Sequence, residues 1–181
     1  MKKLVFLAVT VVAATVSLVA AGQHHKNAYV EQQQRAISSL SDKDVEALRR
    51  GRGWGLAKPA EFNKYPGPMH VLELAEQLAL TAQQRAQIEQ IFRRMKRRAQ
   101  ALGQRYISSE ARIDALFRDG GVTEENLRSA LREADGLRSR LREVHLRAHL
   151  QTTPLLTRHQ RHLYGRLRGY SDTKSHSGHA H

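Results

Sequence analysis

From Leu80 to Arg118 the chain runs without a proline, and only Gly103 interrupts its helix-forming residues. Thr81 is placed to cap that stretch. Its hydroxyl can accept from the Gln84 N–H while the Gln84 side chain reaches back to the Thr81 N–H. Behind the cap, apolar residues recur in steps of three and four at Ile88, Phe92, Met95, Ala99, Leu102, Tyr106, Ile113 and Leu116, with Ser109 the polar entry in the stripe. A helix of about 37 residues at ~1.5 Å per residue is a rod of roughly 55 Å. A rod of that length with one apolar face needs a partner helix.

The partner follows directly. Asp119-Gly120-Gly121 is a turn, Thr123 caps a second long helix, and Glu124 and Glu125 suit its first turn. Leu127, Leu131, Ala134, Leu137, Leu141, Val144 and Ala148 carry the stripe on to about Gln151, with Gly136 a weak point inside it. A short loop between two helices of similar length predicts an all-α fold built on a long antiparallel hairpin with short flanking helices. Ser41 starts one of these, from Val45 to Arg50, and Pro68 another, through about Leu78. Pro154 ends or kinks the second long helix, and Thr157 with Gln160 forms a capping box for a last helix to about Leu167.

At the N-terminus, Lys2 and Lys3 precede an apolar run from Leu4 to Ala21 that ends in small residues, the pattern of a cleaved export signal over 1–21. Residues 22–65 read as a flexible region, polar and mostly disordered to Leu40, holding one short helix and then a glycine- and proline-rich loop with Trp54, Phe62 and Tyr65. Residues 66–170 form the helical domain, and 171–181 a polar tail. The chain has no cysteine, which excludes disulfides and thiolate metal sites. Its formal charge is +13, with arginine densest at Arg93, Arg94, Arg97 and Arg98. Export argues against a nucleic-acid face. It leaves anionic membrane surfaces or acidic unfolded chains as partners for a basic surface, beside the plain alternative of a solvated helix side.

The pentapeptide Leu80-Thr81-x-x-Gln84 returns as Leu156-Thr157-x-x-Gln160, one copy before each helix that brackets the hairpin. In a basic, cysteine-free, exported chain this pair resembles the LTxxQ family of bacterial periplasmic proteins, whose members include Spy- and CpxP-like stress proteins and ZraP- and CnrX-like metal-resistance proteins. The resemblance covers about Pro66 to Tyr170. It implies a hooked helical hairpin that dimerises in the periplasm, and two kinds of activity: chaperoning without ATP, and sensing or binding of transition metals. The acidic or proline residues usual inside the motif are missing from both copies.

Histidines supply the candidate metal ligands. His145 and His149 lie four apart on one helix face, and His70 sits ten residues ahead of the first motif leucine. If the hairpin brings the motifs together, these three converge, with Glu73 a further carboxylate. Metal-sensing members that resemble this chain take ligands from histidines just ahead of the two motifs. Neutral imidazoles without thiolates suit Zn²⁺, Ni²⁺, Co²⁺ or Cu²⁺. The tail histidines His176, His179 and His181 are spaced for weak chelation, with His24 and His25 as possible additions, whereas His159 and His162 read as surface residues. No nucleophile elbow, phosphate loop, His-Glu-x-x-His or cysteine nucleophile points to an enzyme. The expected function is therefore a periplasmic, non-enzymatic metal sensor or binder, signalling through a membrane partner. The alternative is an ATP-independent chaperone whose arginines at 93, 94, 97 and 98 steer unfolded envelope clients.

Overall fold

The computed structural model describes residues 29–170. They form six α-helices: α1 (Asp42–Arg49), α2 (Lys58–Glu61), α3 (Pro68–Glu73), α4 (Ala82–Arg118), α5 (Glu124–Thr152) and α6 (Arg158–Leu167). The fold is all-helical. Among the described residues the sole strand-like feature is an isolated bridge between Ile37 and Leu40. The expected export signal and the tail histidines fall outside the described residues, and no described helix is long and apolar enough to cross a membrane.

Helices α4 and α5 pack along each other in opposite directions. Arg112 meets Glu133 near the connecting loop, and Gln84 meets Gln160 beyond the other end. Ser41, Thr81, Thr123 and Thr157 each close a full capping box, so four helix starts are fixed by side chains in the sequence itself. Two apolar clusters hold the rods together. One joins Leu48 of α1 to Ala99, Tyr106 and Ile107 of α4 and to Ala134, Leu137 and Leu141 of α5. The other gathers Val71, Leu78, Ile88, Leu156 and Tyr164 at the motif end.

The N-terminal segment differs from its sequence expectation. From Tyr29 it carries a short 3₁₀ turn, Val30–Gln32, and then packs on α4. Ile37 and Leu40 are buried, the Ser38 N–H donates to Asp114 at 2.7 Å, and the Ser39 hydroxyl to Glu110 at 2.5 Å. Two apolar residues spaced by serines suffice, because α4 and α5 alone leave a face uncovered. Residues 22–65 also contain a second short helix, α2, where the sequence suggested one. Gly103 proves to be a contact rather than a flaw. A Cβ there would lie 2.5 Å from the Leu48 carbonyl oxygen, so only glycine lets α1 lie this close to α4.

Helix α3 stops at Glu73 instead of reaching Leu78. The chain continues in turns, with Ala79 at φ +47°. That left-handed residue swings the backbone into the extended Thr81 cap, while Ala75 and Leu78 remain buried beneath. Helical periodicity persists through this stretch although the helix does not, because turns can bury the same side chains.

Candidate functional site

The two motifs meet through their glutamines. Each carboxamide oxygen accepts from its own cap threonine, at 3.0 Å from Thr81 N–H to Gln84 and 2.9 Å from Thr157 N–H to Gln160. Each carboxamide nitrogen then crosses over. Gln84 Nε2 donates to Gln160 Oε1 at 3.0 Å and to the Leu155 carbonyl at 2.8 Å. Gln160 Nε2 donates to Gln84 Oε1 at 3.1 Å and to the Leu78 carbonyl at 3.1 Å. Glutamine is required because it alone has the reach, one acceptor oxygen and two donors for this pattern. Leu80 and Leu156 pack beneath the paired caps. The motif residues are thus a clasp between the starts of α4 and α6.

Beside the clasp, the loop from Arg50 to His70 arches over α4 and α5 and encloses an open cavity of about 680 Å³. His70, His145 and His149 all line it. His149 is held by the loop. Its Nδ1–H donates to the Tyr65 carbonyl at 2.6 Å, and since a carbonyl only accepts, the lone pair of the neutral ring lies on Nε2. Glycine at 67 makes room, for a Cβ there would stand 2.7 Å from the His149 ring. His70 Nδ1 pairs with Glu73 Oε2 at 2.7 Å. His145 is 3% exposed and its Nε2 has no hydrogen-bond partner. Burial, reinforced by His149, lowers its pKa to about 4, so the ring is neutral at pH 7.

Sequence reasoning missed Glu61, the most connected carboxylate here. Its Oε1 accepts from the Tyr164 hydroxyl at 2.5 Å and the Tyr170 hydroxyl at 3.0 Å, with Arg168 Nε 3.4 Å away. Its Oε2 lies 3.7 Å from His149 Nδ1 but makes no hydrogen bond. Burial, with Glu61 alongside, pushes the Tyr164 phenol far above its ordinary pKa and that of Tyr170 upward, so both remain donors. A signal did exist: Glu61 is the sole acidic residue between Arg50 and His70, a stretch otherwise basic, aromatic and rich in glycine and proline.

The three orphaned buried side-chain atoms among the described residues are Glu61 Oε2, His145 Nε2 and Arg168 Nε, and all three residues line this cavity. The histidines share the cavity without closing on one another, for no three His, Cys, Asp or Glu side chains among the described residues gather as a metal-holding group. Arg93, Arg94, Arg97 and Arg98 are exposed along α4 and line no part of the cavity, Arg93 pairing with Glu89 at 3.2 Å. His159 and His162 are exposed on α6. Compared with known proteins, the chain matches no family model, no curated protein and no solved structure.

Proposed function

We propose that this chain is an exported, non-enzymatic protein of the LTxxQ kind, a hooked helical hairpin that binds a divalent transition metal and responds to it. One observation carries the reading: three imidazoles line a single cavity, and no protein hydrogen bond uses their Nε2 atoms. Two of them have Nδ1 anchored on an oxygen, by Glu73 for His70 and by the Tyr65 carbonyl for His149. Metal-ligating histidines have this outer arrangement, because the anchor fixes the ring and directs the other nitrogen outward. His145 adds an imidazole that is neutral at pH 7 and unpartnered at Nε2, and Glu61 places a carboxylate oxygen 3.7 Å from the His149 ring. The cavity wall spans α3, the loop and α5, so an ion taking ligands from more than one of these elements would alter how the loop sits on the long helices. A change of that kind is what a signalling partner in the envelope could read.

Calorimetric titration with Zn²⁺, Ni²⁺, Co²⁺ and Cu²⁺ tests this. Binding should survive removal of residues 171–181 and vanish in His145→Ala/His149→Ala. Binding that disappears with the tail alone would instead assign capture to His176, His179 and His181 and end the sensor reading.

A second reading, chaperoning without ATP, draws on Phe62, Tyr65 and Met69, apolar side chains exposed on the loop of a chain of formal charge +13. Under it, the purified protein suppresses aggregation of an acidic denatured client at low salt, and reversing the charges of Arg93, Arg94, Arg97 and Arg98 abolishes the effect. Homodimerisation belongs to either reading and is checked by sedimentation.

A further inference from the structure

The mouth of the cavity has a chemistry that the histidines do not use. Its lining brings five cations, Arg50, Arg52, Lys58, Lys96 and Arg168, against the single carboxylate of Glu61. Arg50 is paired with Glu46 and Arg168 with Glu61. Arg52, Lys58 and Lys96 have no carboxylate partner among the described residues, and the Lys96 ammonium instead sits 5.9 Å from the Phe92 ring centroid. Between these cations stand apolar surfaces from both sides, Trp54, Phe62 and Met69 from the loop and Phe92 and Met95 from α4. Phe62 is 61% exposed and Met69 38%, an arrangement that leaves large apolar groups in water unless something covers them.

We propose that this cavity mouth binds a small amphipathic organic anion, an acyl-chain body ending in a carboxylate, with the body against the rings and thioethers and the carboxylate held by Arg52 and Lys58. A volume of about 680 Å³ suits one such molecule rather than a folded partner. The sign of the rim selects the anion, and the rings and thioethers add a contact that a merely ionic ligand such as free phosphate cannot make. The chain's own tail does not fit, because residues 171–181 are polar apart from Ala180 and carry Lys174 and three histidines. The ligand needs none of the three imidazoles, so the inference goes beyond the metal reading and stands or falls apart from it.

Trp54 is the protein's one tryptophan and lines the site. Its indole N–H is pinned to Asp44 at 2.7 Å, which makes its emission a local reporter. The purified full chain, kept in a chelator so that metal plays no part, is titrated with dodecanoate below its micelle concentration. Dodecyl maltoside supplies the same tail without charge, and inorganic phosphate supplies charge without a tail. Dodecanoate should shift Trp54 emission saturably while the other two leave it unchanged. Charge reversal in Arg52→Glu/Lys58→Glu, at two exposed positions, should weaken dodecanoate by about ten-fold or more, since about 1.4 kcal/mol is a factor of ten. The equal reversal in Arg128→Glu/Arg132→Glu, exposed on α5 outside the cavity, should change it by less than about two-fold, on the same scale. Equal unfolding midpoints for both variants exclude a folding defect. The proposal is overturned if dodecanoate gives no saturable shift, if the maltoside binds as well, or if both reversals weaken binding equally.

Discussion

The two ends of the long helix pair are built on different terms. At the loop end, α4 passes into α5 through Asp119–Val122 with Gly120 at φ +69°, and the Thr123 capping box does the rest. Phe117 is 58% exposed there and Leu131 45%, and the ion pair between Arg112 and Glu133 is open to solvent at 3.4 Å. At the other end Leu156, Tyr164 and Thr152 are buried, two amides cross-link the chain, and the residues carrying all three orphaned buried polar atoms among the described residues line the cavity beside the clasp. The first end satisfies itself locally. The second is satisfied across 76 residues of sequence by Gln84 and Gln160, and it is the end with polar capacity left over. A chain that needed only to be a stable hairpin could close both ends the first way.

The strongest way to break this contrast is Gln160→Ala. It removes the bond to Leu78, leaves Gln84 Nε2 one acceptor short and exposes the Thr157 N–H. With buried groups costing about 1–3 kcal/mol each when orphaned, the expected loss is about 3–4 kcal/mol in urea unfolding. Thr123→Ala removes a cap of similar local form at the loop end and should cost only about 1 kcal/mol. Equal losses would mean that the clasp does no more than cap two helices.

That contrast also explains what could be read from the sequence. The two glutamine capping boxes, the Thr123 cap, the proline-free run and the apolar stripes are local properties, and they placed α4, α5 and α6 to within a residue or two. The meeting of Gln84 with Gln160 is not local. Each glutamine is fully accounted for by its own cap, so nothing in either pentapeptide announces the second use of its amide. His70, His145 and His149 were legible as candidates because two of them lie four apart on one helix face and His70 and His149 stand just ahead of the two motifs. Glu61 was not, since its role depends on Tyr164, Tyr170 and Arg168, more than 100 residues away. The packing of Ile37 and Leu40 was hidden for a related reason: their environment is polar in sequence and apolar only in space.

His145 gives a prediction of nearly the same size, confined to the cavity end. Its folded pKa is depressed to about 4, below the ordinary value of 6.5. Between those values the unfolded chain binds a proton that the folded chain refuses, so stability falls as pH drops from about 6.5 toward 4 and is complete above that window. The loss by the lower end is on the order of 3 kcal/mol. Denaturant midpoints at pH 7 and pH 4.5 measure it, and His145→Leu should flatten the dependence by removing the titrating group. A slope unchanged in that variant would place the acid sensitivity elsewhere.

The smallest effects compare two glycines of the long helices, one facing a neighbour and one not. Gly103 lies under α1, where an added Cβ would stand 2.5 Å from the Leu48 carbonyl oxygen and 3.0 Å from its carbon. Those are backbone atoms and cannot rotate away, so Gly103→Ala forces α1 outward and should cost about 2 kcal/mol. Gly136 sits in α5 with nothing nearer than Arg140 Nη2 at 3.9 Å, the end of a flexible side chain. There Gly136→Ala should follow intrinsic helix preference and stabilise by about 0.5–1 kcal/mol. Opposite signs at two helical glycines would show that α1 is seated tightly on the rods, with Trp54 and its loop carried on that seat through the Asp44 bond. If Gly103→Ala were also stabilising, α1 would be a loosely held flap, and the cavity it helps to position would have no fixed geometry on which to select a ligand.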